Sequence, residues 1–137
     1  MYEIKPYIGV GEIQFGMKSE KICEILGDNY KRFENQYTPG FRICYPEFHI
    51  FFDENDSCNA IEGNISSGFY FNNIEIVGKP FITIKKIFED YDDELEINED
   101  GFISYKLGIS VYVPTLKKSK KELIQGVIAF KEGYYNL

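Results

Sequence analysis

Two stretches of this chain end alike. AIEGNISSGFYFNN occupies residues 60–73 and LIQGVIAFKEGYYNL occupies residues 123–137. Both run from a small or apolar residue through Ile, a polar residue and Gly into an apolar stretch, then a second Gly, an aromatic pair and Asn. A short chain that closes both halves the same way is constrained to a fold in which one unit recurs.

The segments ahead of the two endings extend the parallel. MKSEKICEIL, Met17 to Leu26, places Ile22, Ile25 and Leu26 on one helical face, with Ser19 and Glu20 near its start and Gly27 suited to stop it. FITIKKIFEDY, Phe81 to Tyr91, places Ile84, Ile87 and Phe88 at the same spacing. Each helix precedes two short β-branched and aromatic runs. These are FRICY (Phe41 to Tyr45) and FHIFF (Phe48 to Phe52) in the first half, and FISYK (Phe102 to Lys106) and GISVYV (Gly108 to Val113) in the second. DENDSCN, Asp53 to Asn59, reads as a turn, and PTLKKSKKE, Pro114 to Glu122, as a polar connection. At an offset of about sixty residues, Ile43 and Tyr45 match Ile103 and Tyr105. Phe48, Ile50 and Phe52 match Ile109, Val111 and Val113; Gly63 matches Gly126, and GFY at 68–70 matches GYY at 133–135.

The expected fold is therefore α+β. Two tandem units, each of one helix and three or four antiparallel strands, join into one wide sheet with the helices packed on one face. The whole chain, 1–137, forms a single domain of two repeats, about 1–71 and 72–137. The alternative is chance similarity among strands rich in Phe, Tyr and Ile. Apolar residues make up 44% of the chain, enough for a core.

Net charge is −7, which disfavours nucleic acid and anionic membrane, since a phosphate-binding surface needs clustered Lys and Arg. It favours a basic partner, or solubility alone. No apolar run approaches the roughly 20 residues that span a bilayer. The start, MYEIKPYIGVGEI, lacks the basic and apolar regions of a signal peptide, so a cytoplasmic location is expected. Cys23, Cys44 and Cys58 are odd in number and show no CxxC spacing, as free thiols in a reducing compartment do.

Catalytic patterns are missing. GVG at 9–11 is not a dinucleotide fingerprint, no phosphate loop or GxSxG elbow occurs, and no cofactor or metal is implied. His49, the one histidine, lies in FHIFF; if Phe48, Ile50 and Phe52 face the helices, His49 and Phe51 face away. Its ring is then partly accessible on a strand surface. The same alternation assigns Arg42, Cys44, Phe102, Ser104, Ser110 and Tyr112 to that outer face, a mixed aromatic and polar surface that binds a partner, lines an oligomer or lies under a loop. The other distinctive segment is EDYDDELEINED, Glu89 to Asp100. It reads either as a solvated helix end or as an acidic surface steering toward a basic protein, with Tyr91, Leu95 and Ile97 as anchors. The partner-binding candidates are Glu89, Asp90, Tyr91, Asp92, Asp93, Glu94 and Glu96 from this segment, with His49, Phe51 and Tyr112 from the sheet face. KKSKK, Lys117 to Lys121, reads as a solvated loop.

IQFGMKSEKICEILG, Ile13 to Gly27, leading into a helix and ending on Leu-Gly, resembles the opening of the β-lactamase-inhibitor-like proteins and of small immunity proteins encoded beside bacterial toxins. The resemblance implies tandem helix-plus-strand units and a cytosolic protein that occludes a cognate toxin, a basic protein, by steric and electrostatic cover. Two other functions stay open: a small enzyme using His49 with a carboxylate such as Glu47 or Asp53, and a structural subunit of a larger complex.

Overall fold

In the computed structural model, which describes residues 2–135, strands dominate. The first half runs β1 (Tyr2–Lys5), β2 (Gly9–Val10), β3 (Ile13–Gln14), α1 (Ser19–Leu26), β4 (Lys31–Glu34), β5 (Phe41–Cys44), β6 (Phe48–Phe52) and β7 (Cys58–Gly63). The second runs β8 (Phe69–Phe71), β9 (Ile74–Glu75), α2 (Phe81–Glu89), β10 (Glu96–Asn98), β11 (Gly101–Ser104), β12 (Ile109–Tyr112) and β13 (Gly126–Phe130).

Local chemistry explains the hairpins of the larger sheet. Between β5 and β6 the turn closes when the Tyr45 amide donates to the Phe48 carbonyl at 2.9 Å. Between β6 and β7 the Asp53 side chain accepts from the Asn55 and Ser57 amides, at 2.8 and 3.1 Å, an aspartate turn that reinforces the backbone bond from the Asp53 amide to the Ser57 carbonyl at 3.0 Å. Eight strands follow one another in the order β10-β11-β12-β13-β7-β6-β5-β4, all neighbours antiparallel. Each helix is thus followed by four strands in series, and the two series meet where β7 pairs with β13.

The second sheet has five strands, in the order β3-β2-β1-β8-β9, with β1 and β8 parallel. It faces the inner surface of the larger sheet. Ile4, Val10, Ile13, Phe69 and Phe71 from the small sheet bury with Ile43, Phe48, Ile50, Ile61 and Val127 from the large one. Tyr2 joins the layers edge-on, 5.3 Å from Phe48 and 5.9 Å from Phe69. From α1 comes Ile22, fully buried; from α2 come Phe81, Ile84 and Phe88. Burying one such side chain contributes roughly 1.5–3 kcal/mol, so the apolar side chains shared between the layers hold them together.

Two sheets of five and eight strands, with helices of only eight and nine residues, overturn the expected α+β tandem with helices packed on one face. Five strands do much of the covering that helices were expected to do. Several matched positions also part company. Ile43 faces the core and is 1% exposed, whereas Ile103 faces outward; Gly63 faces inward and Gly126 outward. GFY enters β8, while GYY at 133–135 lies in a turn.

The register of β11 corrects the outer face as well. Phe102 is fully buried, with its ring 6.0 Å from Phe81 and 5.1 Å from Phe88, and Ser104 is equally buried. Both point to the core, because Phe102 pairs with Val111 and Ser104 with Ile109. A one-residue shift in the reading of a strand exchanges its two faces.

Candidate functional site: the outer face of the large sheet

Cross-strand pairing sorts the outer face into rows. One row crosses the whole sheet: Glu96, Ile103, Ser110, Ile128, Glu62, His49, Cys44 and Lys31, one from each strand. Beside it runs Asn98, Gly101, Tyr112 and Gly126. On the other side run Phe33, Arg42, Phe51, Ala60 and Phe130.

This third row is capped at its Phe130 end. The rings of Tyr7, Tyr134 and Tyr135 pack on Phe130 at 5.9, 5.9 and 4.9 Å. Burial there pushes the Tyr134 phenol above its ordinary value. Arg42 lies over the Phe33 ring at 5.1 Å. Phe51, a sequence-predicted contact residue, sits beside Arg42 and is only half-exposed.

The first two rows stay open. Two adjoining troughs, of about 500 and 230 Å3, share Glu62 and Tyr112 as lining residues. Tyr112 is 47% exposed, and glycine occupies its cross-strand position on both sides, Gly101 on β11 and Gly126 on β13. His49 Nδ1 lies 3.4 Å from Glu62 Oε1, with side chains 41% and 33% exposed. Glu62, Ile103, Ile128, Tyr135 and Gly126 were not singled out by sequence. Pairing brings the strand residues together and the turn after β13 adds Tyr135, and the alternation of β7 and β13 was the signal that would have found Glu62 and Ile128. Of the two carboxylates considered for His49, neither is its partner; Glu62 is.

The acidic segment divides into structural and free carboxylates. Asp92 is 4% exposed, accepts from the Ser104 hydroxyl at 2.7 Å and from the Glu94 amide at 2.9 Å. It is therefore a core-facing bracket and not a surface charge, which corrects its assignment to a partner contact. Tyr91 packs edge-on to Phe71 at 5.3 Å and its hydroxyl meets the Asn72 amide, so it is anchored to its own protein. Glu89 pairs with Lys85 at 2.9 Å. Glu96 accepts from the Tyr105 hydroxyl at 2.9 Å, a bond that pushes the Tyr105 phenol upward. Asp90, Asp93 and Glu94 are exposed. Glu99 meets Lys117 at 3.6 Å and, with Asp100, lines the end of the larger trough.

Among the described residues no cluster of His, Cys, Asp and Glu would hold a metal ion, and no helix is long and apolar enough to cross a membrane. The three cysteines are free; burial pushes the Cys58 thiol up to about 12. The chain matches no family model, no curated protein and no solved structure.

Proposed function

We propose that this chain is a cytosolic inhibitor of the immunity kind, which binds a basic toxin domain and covers its working surface. The observation that carries the reading is the open part of the large sheet's outer face. There a half-exposed Tyr112 shares a trough with Glu62, Tyr135 and the carboxylates Glu99 and Asp100, while Phe130 beyond it is capped. Aromatic anchors ringed by charge make protein interfaces, and a net charge of −7 steers association with a basic partner. Asp93 and Glu94, exposed on the loop between α2 and β10, add to the negative charge that steers such a partner.

The test is co-expression with the product of the gene directly upstream. Rescue from a toxin with a basic C-terminal domain, with a co-eluting complex, supports the reading. A partner that proves acidic, or rescue without a complex, refutes it. Reversing Asp93 and Glu94 to Lys should slow association and flatten its salt dependence, since rim charges act over a Debye length of about 8 Å.

One observation favours a second reading, a small hydrolase-like enzyme. Cys44, His49 and Glu62 occupy successive cross-strand positions, the order of a nucleophile, a base and an orienting carboxylate. Loss of protection in both Cys44→Ser and His49→Ala proteins, with binding intact, would favour it over occlusion.

A further inference from the structure

Strand glycines normally have a visible cause, either a positive φ or a close neighbour. Gly63 has one: a Cβ there would come within 2.5 Å of Ser67 Oγ and 2.6 Å of the Phe69 ring. Gly126, on the adjacent strand, has none. A Cβ at Gly126 would meet only the Gly63 carbonyl at 3.7 Å, Glu62 Oε2 at 3.9 Å and Tyr112 Cβ at 4.0 Å, all ordinary contacts. Its φ is not positive. The fold would accept a side chain at 126, yet the position is bare, and it lies between a carboxylate oxygen and the base of an exposed tyrosine.

We propose that the trough is a docking groove for an extended, arginine-bearing segment of a protein partner, with one guanidinium seated over Gly126 against Tyr112 and Glu62. This rests on the reading of the partner as a basic protein. Four features select the occupant. Glu62 Oε2 points to the space above Gly126, so the site offers a carboxylate. Tyr112 has no side chain at its cross-strand positions on either side, which leaves its ring free to stack a planar cation. Among the described residues no Lys or Arg lines either trough, and although Lys117 pairs with Glu99 at the larger trough's end, Glu62 and Asp100 leave the net field negative toward an incoming cation. Finally, Ser110 is 8% exposed, lines the larger trough and makes no side-chain hydrogen bond among the described residues, leaving a hydroxyl for the segment's backbone or a second guanidinium.

The groove's length fits a segment and not a single side chain. Its lining spans β10, β11, β12, β13, β7 and β6, five spacings of about 4.8 Å, or roughly 24 Å. An extended chain at about 3.3 Å per residue covers that with roughly seven residues, and alternate side chains point the same way.

The probe is therefore a capped heptapeptide, Gly-Arg-Gly-Arg-Gly-Arg-Gly, titrated into the isotopically labelled full chain at low ionic strength and followed by amide shifts. Saturable shifts at residues 62–64, 101, 110–112 and 126–128 are expected. Glu62→Gln should weaken binding about tenfold, equivalent to about 1.4 kcal/mol. Gly126→Ala should weaken it several-fold while the protein unfolds no earlier than the parent, a combination that a merely structural glycine would not give. The lysine counterpart of the peptide should bind several-fold more weakly, because an ammonium neither stacks nor forks. Equal binding by the lysine peptide or by spermidine overturns the assignment to arginine. Shifts confined to residues 89–95 overturn the groove but leave the basic-partner reading standing. Absence of any shift overturns both.

Discussion

Asp92 tests the division of the acidic segment most directly. Its carboxylate is 4% exposed and receives two donors, the Ser104 hydroxyl at 2.7 Å and the Glu94 amide at 2.9 Å. A charge-assisted hydrogen bond in such a place contributes about 1.5–3 kcal/mol, and the partly buried amide bond about 1 kcal/mol. Removing the carboxylate also removes its desolvation cost, so the net loss for Asp92→Ala is about 2–3 kcal/mol. Asp92→Asn keeps an acceptor without the charge and should lose about 1 kcal/mol. Asp93→Ala, one residue on and exposed, should stay within about 0.5 kcal/mol. Urea unfolding at neutral pH measures all three. For a chain of this length the alanine loss corresponds to a fall in Tm of roughly 6–12 °C. A double-mutant cycle with Ser104→Ala should give a coupling of at least about 1 kcal/mol. If Asp92→Ala and Asp93→Ala unfold alike, or if the cycle shows no coupling, Asp92 is a surface charge after all and the whole segment returns to the interface.

Three further outcomes follow from the packing. Phe102→Ala should cost about 3–5 kcal/mol in the same assay, because the ring is fully buried between Phe81 and Phe88; a loss below about 1 kcal/mol would restore its outward assignment. Gly63→Ala should destabilise measurably while Gly126→Ala does not, since only the first Cβ meets atoms closer than 3 Å. Cys58, buried and with its thiol pushed up to about 12, stays protonated below that pH and should resist alkylation in the folded protein, leaving Cys23 and Cys44 as the two reactive thiols; three reactive thiols without denaturant would contradict its burial.

Much of the strand content of the large sheet was legible because its alternation is strong. FHIFF buries Phe48, Ile50 and Phe52 and turns His49 and Phe51 outward, as period-two patterning requires. Both helices were legible from apolar residues three and four apart. The small sheet was not. Three of its strands, β2, β3 and β9, have two residues each, too few to carry a period, and β1 and β8 pair across more than sixty residues of chain. In β4 every residue is exposed, so KRFE reads as linker although it pairs along its length with β5. In FISYK both Phe102 and Ile103 are apolar and Ser104 is polar but buried, so alternation pointed to the wrong face. The hydroxyl of Ser104 tolerates burial because it accepts from the Leu107 amide and donates a hydrogen bond to Asp92, the latter a contact between positions twelve apart that no local pattern announces.

The outer face can be weighed between docking and chemistry on geometry. A nucleophile needs its base in hydrogen-bond contact, and the base needs an orienting group. His49 and Glu62 are 3.4 Å apart, which meets the second requirement loosely. Cross-strand neighbours bring Cys44 beside His49, but no hydrogen bond joins the thiol to the imidazole among the described residues, and the ring is 41% exposed in an open trough. Water is not excluded there, so charges on the reacting groups would be screened and the low-dielectric gain that catalysis draws on is forfeited. The same openness suits docking. A partner supplies the missing cover, and its arrival desolvates Glu62 and Tyr112 at the moment the contact forms. His49 lies against Glu62 Oε1, while the guanidinium approaches Oε2 over Gly126 and needs nothing from the imidazole. His49→Ala should therefore leave the arginine peptide's affinity unchanged or modestly raised, whereas a catalytic His49 would show itself in lost turnover with affinity untouched.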